Sequence, residues 1–217
     1  MKLKKIASLA LAGIMAVSML AGCKDGTSQE DPSSSSQVPT TSNAAEYANY
    51  MLSDMEKAIF AFNSSSTLNE ALNASAGNVD KLNDNDVESI YSNGTGVYTK
   101  LNAELTDASA ELVNKFGGKS VVNDFTTAPT LDGDRITVNL YGVSGKVTEE
   151  EAVKSAVNKF IADMGAVNNT NYPAHDGNFD CEYTAEISTL KVASRQHPDK
   201  SAWTVAIVVT QTASAAA

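Results

Sequence analysis

RITVNLYGVS, running from Arg135 to Ser144, alternates in character: Ile136, Val138 and Leu140 share one side, as in a half-buried strand. Directly after it, Thr148-Glu149-Glu150-Glu151 opens a helix. Thr148 and Glu151 have capping-box spacing, and the three acids suit the positive end of the helix dipole. Val153, Ala156, Val157, Phe160, Ile161 and Met164 recur at three- and four-residue steps to give this helix a buried face, and Gly165 ends it. A strand followed by an amphipathic helix is therefore the centre of the folded part.

Downstream, Ala166 to Asn178 is polar and reads as a loop. Phe179, Cys181, Tyr183, Ala185 and Ile187 then alternate as a strand, and Leu190 and Val192 continue in the opposite parity, which predicts a bulge near Ser188 or Thr189. A turn over Arg195 to Lys200 leads to a last strand, Ala202 to Thr212, with Trp203, Val205, Ile207 and Val209 on one side. The tail Ala213 to Ala217 is expected to fray.

Upstream, the periods are helical. Asn43 with Glu46 has capping-box spacing, and Ala48, Met51, Leu52, Met55, Ile59 and Phe62 form one helical face. Shorter helices are predicted over Leu68 to Ala76, capped by Thr67, and over Asn85 to Ser92, capped by Asp84. A longer one carries Val97, Leu101, Leu105, Ala108, Leu112 and Phe116 and stops at Gly117-Gly118. The expected fold class is α+β: an N-terminal helical half, then strand-helix-strand-strand forming a small antiparallel sheet. The expected division is 1–22 leader, 23–43 linker, 44–212 a single domain, and 213–217 tail. About 170 residues suffice for one hydrophobic core.

Charge excludes one class of partner. Sixteen basic side chains face 26 acidic ones for a net charge of −10, and Lys2, Lys4 and Lys5 all lie in the leader. Arg135 and Arg195 are the only arginines. A nucleic-acid binder replaces counterions with Lys and Arg along a groove or face, and this chain lacks the charge for that. Electrostatic docking on anionic lipid is disfavoured by the same balance.

The leader reads MKLKKIASLALAGIMAVSMLAGC: a basic start, an uncharged apolar run from Ile6 to Leu20, then Leu20-Ala21-Gly22-Cys23. It resembles the leaders of bacterial lipoproteins, in which an aliphatic residue and two small residues precede a cysteine. That resemblance implies recognition of Leu20, Ala21 and Gly22 by the lipoprotein signal peptidase, cleavage after Gly22, and diacylglycerol on the Cys23 thiol. It further implies a membrane-anchored chain facing outside the cytoplasm, and the Lys-rich leader and tether are similar to those of Gram-positive surface lipoproteins. One acyl chain anchors only marginally, at about 0.8 kcal/mol per buried CH₂, whereas two hold stably. Behind Cys23, KDGTSQEDPSSSSQVPTTS (Lys24 to Ser42) carries a single aliphatic residue, Val38, and is expected to remain a flexible spacer. Its span is about 25 Å root-mean-square and about 60 Å fully extended.

Few residues offer chemistry. Cys181 is the one thiol besides Cys23, and His175 and His197 are the only histidines. A thiol nucleophile needs an imidazole within hydrogen-bond reach and a third group to orient it. Cys181 shares parity with Phe179, Tyr183 and Ile187, where a small apolar residue fills core. His175-Asp176-Gly177 and His197-Pro198-Asp199 have turn composition. Among acids, Asp80, Asp84, Asp86 and Glu88 cluster, but counting from Asp84 as a calcium loop puts Ser89 at the sixth position and Thr95 at the twelfth, which breaks the pattern. Asp132-Gly133-Asp134 suits a turn before a strand. Asn63, Asn73, Asn93 and Asn168 satisfy N-x-S/T, a match without consequence in a bacterial lipoprotein. No metal or other cofactor is expected.

The leading expectation is a non-enzymatic lipoprotein, a binding or envelope-interaction module whose partner is an envelope protein or ligand. Its rivals are an envelope enzyme using Cys181 with His175 or His197, and a regulatory or inhibitory module. The latter rests on a helix followed by a hairpin, opened by Thr148-Glu149-Glu150-Glu151-Ala152, which is similar to PepSY-type domains.

Overall fold

The computed structural model describes residues 42–97, 106–164, 171–174 and 177–216, all within the compact unit Thr40–Ala217. Six helices and six strands occur among them. In chain order these are α1 (Ala44–Met51), α2 (Asp54–Lys57), β1 (Phe62–Asn63), α3 (Ser66–Ser75), α4 (Asp84–Ser92), α5 (Thr106–Lys115), β2 (Ser120–Val121), β3 (Gly133–Ser144), α6 (Glu149–Met164), β4 (Asn171–Ala174), β5 (Gly177–Ala193) and β6 (Ser201–Ala215).

The class is α+β, but the expected small antiparallel sheet is incorrect. Five strands run in the order β1-β5-β6-β3-β2, and β4 joins as a sixth by pairing with β5. The long strands β5, β6 and β3 are antiparallel, while the two-residue strands β1 and β2 add to β5 and β3 in parallel, so the sheet is mixed. Two-residue strands are too short to show alternation. Phe62 of β1 also falls at a helical step from Ile59, which hid the strand inside a longer apparent helix.

Helices cover both faces of the sheet. Register pairs odd with odd residue numbers across β5, β6 and β3, so odd positions share one face. On that face Thr189 donates to Glu149 at the start of α6 (2.5 Å), and Phe62 meets Phe160 of α6 edge-on. On the even face Ser188 donates to Asn69 of α3 (2.5 Å) and Ser144 to the Tyr91 carbonyl of α4 (2.9 Å). Two-sided burial explains why AWTVAIVV of β6, Ala202 to Val209, is almost continuously apolar. It also removes the predicted bulge. The β5–β6 register is unbroken from Phe179↔Ala215 to Ala193↔Ser201, and Val192 is buried because its own face is covered too.

Several boundaries moved for identifiable reasons. The apparent long first helix breaks at Leu52, which is extended. Ser53 then restarts the chain as α2 with a capping box to Glu56. Asn43 makes no side-chain cap; the Ser42 hydroxyl accepts the Ala44 N–H instead. Ser42 also donates to Glu149 at 2.7 Å, so it belongs to the folded unit. Ser65 and Asn83, not Thr67 and Asp84, cap α3 and α4. Thr148 and Glu151 form the expected box.

The polar stretch read as a loop contains β4, whose residues Asn171–Ala174 pair with Asp180–Gly177. Pro173 is tolerated because β4 is an edge strand. β6 runs through Ala215, beyond the expected end at Thr212, and Asp132 accepts the Ala215 N–H at 2.7 Å. Val97 bridges to Val143 of β3, and the predicted helical residues 98–105 lie outside the described residues.

Candidate functional site

One row across the odd face is polar in all three long strands: Tyr183 of β5, Gln211 of β6 and Arg135 of β3, in direct register. Gln211 is fully buried. Its amide oxygen accepts from Arg135 Nε (2.9 Å) and Nη2 (2.5 Å), and its amide nitrogen donates to the Tyr183 hydroxyl (2.6 Å). Charge-assisted bonds of this kind are stronger than neutral ones.

The segment before β3 closes over this row. Asp124 accepts both the backbone N–H and the hydroxyl of Thr126, at 2.9 and 2.5 Å, forming a side-chain-stabilised turn. The hydroxyl bond, then the N–H bond, holds the Asp124 carboxyl below its ordinary range. Within that turn Phe125 is buried, its ring edge-on to Tyr183 (centroids 5.6 Å apart) and the Arg135 guanidinium 5.9 Å from its centroid. Arg135 Nη2 also donates to the Thr127 carbonyl at 2.9 Å. One guanidinium thus ties the irregular segment to the sheet, and beyond the tie Leu131 is exposed.

Cys181 lies one position beyond Tyr183 on the same face of β5 and is buried. Burial pushes its thiol up, the Arg135 charge opposes that, and Asp180 adds to it. His197 sits at the other end of β5, in the β5–β6 turn, where its N–H donates to Ser194 and its carbonyl accepts from Lys200. Cys181 and Ala193 are twelve positions apart along the strand, roughly 40 Å of extended chain. The structure does not bring Cys181 and His197 together. His175 lies outside the described residues, as do Cys23, Leu20, Ala21 and Gly22.

His197 instead joins a surface clamp. Glu88 of α4 accepts from Lys200 (2.6 Å) and Ser194 (3.2 Å) and lies 3.7 Å from His197, while Asp84 accepts the Arg195 N–H at 2.6 Å. Two members of the acidic cluster therefore dock the hairpin tip on α4. Asp134 accepts from Thr212, which makes it part of the β3–β6 pairing. Among the described residues no group of three His, Cys, Asp or Glu side chains is placed to hold a metal, and no helix is long and apolar enough to cross a membrane.

On β3 the polar stripe continues past Arg135 to Thr137, Asn139 and Tyr141. Burial, then the Asp163 carboxylate, pushes the Tyr141 phenol up. Among the described residues the buried Thr137 hydroxyl and the Asn139 amide nitrogen have no hydrogen-bond partner. Trp203, which shares the parity of Val205, Ile207 and Val209, is only partly buried. Its indole N–H donates to the Val147 carbonyl at 3.1 Å, and Lys191 lies 5.2 Å from the ring.

Sequence reasoning did not find the Tyr183–Gln211–Arg135 row. The available signal was Gln211, a polar side chain at the parity of Trp203, Val205, Ile207 and Val209, in a chain with only two arginines. Comparison with known proteins finds no family model, no curated protein and no solved structure that matches this chain.

Proposed function

We propose that this chain is an exported lipoprotein, anchored through Cys23, whose folded unit is a non-enzymatic binding or envelope-interaction module. The observation that carries the reading is the in-register leader: basic start, apolar run, then Leu20-Ala21-Gly22-Cys23. Two acyl chains anchor without help from the surface, which suits a strongly acidic protein. Three observations favour binding over thiol chemistry. Cys181 is buried, its thiol is pushed up, and His197 is committed to the far end of the hairpin. Ser42, hydrogen-bonded to Glu149 and Thr189, is tied into the folded unit.

The test is Cys23→Ala, expressed alongside wild type with an alkyne-tagged fatty acid. Wild type should incorporate label, lose its leader and fractionate with membranes, and protease added outside intact cells should digest it. The variant should lose labelling and remain unprocessed. Cleavage at the same position with retained membrane binding in the variant would overturn the reading.

A further inference from the structure

Asn93-Gly94 is the one Asn-Gly step in the sequence, and it caps the exposed end of α4. Asn93 sits at φ −72°, ψ −5°, and its side-chain nitrogen reaches only the Val97 carbonyl, at 3.4 Å. Gly94 is in the left-handed region at φ +92°, with open space where a Cβ would stand. Among the described residues no backbone carbonyl accepts the Gly94 N–H, whereas the preceding Asn93 N–H is held by Ile90. The attacking nitrogen is therefore neither hydrogen-bonded to backbone nor shielded by a side chain of its own.

We infer that Asn93 is a site of spontaneous covalent modification, converting to aspartate and isoaspartate in the folded protein. The Gly94 backbone nitrogen, having lost its proton to solvent base, attacks Asn93 Cγ. A C–N bond forms, the Cγ–Nδ2 bond breaks, and ammonia leaves, giving a five-membered succinimide. Water then opens the ring at either carbonyl, leaving an aspartate or an isoaspartate in which the chain runs through Cβ. No oxidant or reductant is involved. The turn must first swing Asn93 away from ψ −5°, and the unrestrained Gly94 permits this.

The product alters the local structure in two ways. It places a carboxylate at the C-terminal end of α4, where the helix carbonyls already present partial negative charge. It also removes the amide donor to Val97, the residue that bridges to Val143 at the edge of β3.

The experiment incubates the full-length folded chain in mildly alkaline buffer and maps its peptides by mass spectrometry over time. A sample in urea and the variant Asn93→Gln run in parallel. The expected result is loss of the original Asn93 peptide and gain of two products, each with NH₂ exchanged for OH and isoaspartate the larger. Asn93→Gln should show neither product. The inference is overturned if the folded chain keeps Asn93 intact while the urea sample converts. It is equally overturned if the products map to another amide or persist in Asn93→Gln.

Discussion

Replacing Gln211 by leucine keeps the volume of a fully buried side chain and deletes every hydrogen bond it makes. The Arg135 guanidinium loses two of its bonds and keeps the one to Thr127; the Tyr183 hydroxyl loses its donor. Hydrogen bonds to a charged group contribute about 1.5–3 kcal/mol each, and the neutral bond to Tyr183 about 0.5–1.5 kcal/mol. Arg135 is only partly buried, so water recovers part of its loss, and leucine gains some hydrophobic transfer energy. The expected net cost is about 3 kcal/mol. For a domain of this size that lowers Tm by roughly 6–12 °C. Urea unfolding followed by circular dichroism measures it, with the midpoint moving and the slope m unchanged. Gln211→Glu should cost less, because a carboxylate still accepts both Arg135 bonds and the Tyr183 hydroxyl can turn from acceptor to donor. A cycle combining Gln211→Leu with Arg135→Met should show coupling above about 1 kcal/mol. A Gln211→Leu protein within 1 kcal/mol of wild type, or an additive cycle, would refute the claim that this row ties the Phe125 segment to the sheet.

Two further outcomes follow from the same structure. Glu88 is held below its ordinary value of 4.5, first by the Lys200 hydrogen bond and then by Ser194 and His197, with burial opposing. Its stabilising contribution is therefore present above pH 4.5 and is lost as pH falls through the lower folded value. Glu88→Gln should flatten this part of the acid limb when urea midpoints are compared from pH 7 downward, and an unchanged limb would remove the clamp from the account. Thr137→Val replaces a buried, unpartnered hydroxyl by a methyl group of similar shape and should raise stability by about 1 kcal/mol. A fall in Tm instead would show that the hydroxyl is satisfied in solution.

Element types were more legible than their boundaries because different physics controls each. Burial periodicity announced β3 and α6, and the Thr148–Glu151 box fixed where α6 starts. Elsewhere several cap-competent residues crowd together: Asn83 beside Asp84, and Ser65, Ser66 and Thr67 in succession. Which of them caps depends on where the chain arrives, and composition does not carry that. The break at Leu52 had a local signal, Ser53 followed three residues later by Glu56, that an uninterrupted apolar stripe from Met51 to Ile59 concealed. The parity change after Ile187 was real, but the inference of a bulge assumed one covered face. With α6 on one side and α3 on the other, both parities of the same unbroken strand are buried.

The polar row was hidden for a related reason. Arg135, Tyr183 and Gln211 are separated by 48 and 28 residues in sequence, and only the combined register of β3, β6 and β5 puts them side by side. Read singly, each has an ordinary local explanation: an arginine at a strand entrance, a tyrosine at a core position, a glutamine near a chain end. Phe125 is harder still, since it belongs to no helix or strand and is buried because the Asp124–Thr126 turn aims its ring inward. The same separation disposes of the thiol pairing with His197. Sequence puts Cys181 and His197 sixteen residues apart, close enough to invite a nucleophile–base pair, but β5 is a single unbroken strand that carries them to opposite ends. Sequence distance along an extended strand becomes separation in space, whereas register across strands turns long sequence distance into contact. In this fold the second effect builds the buried network and the first excludes His197 as the base for Cys181.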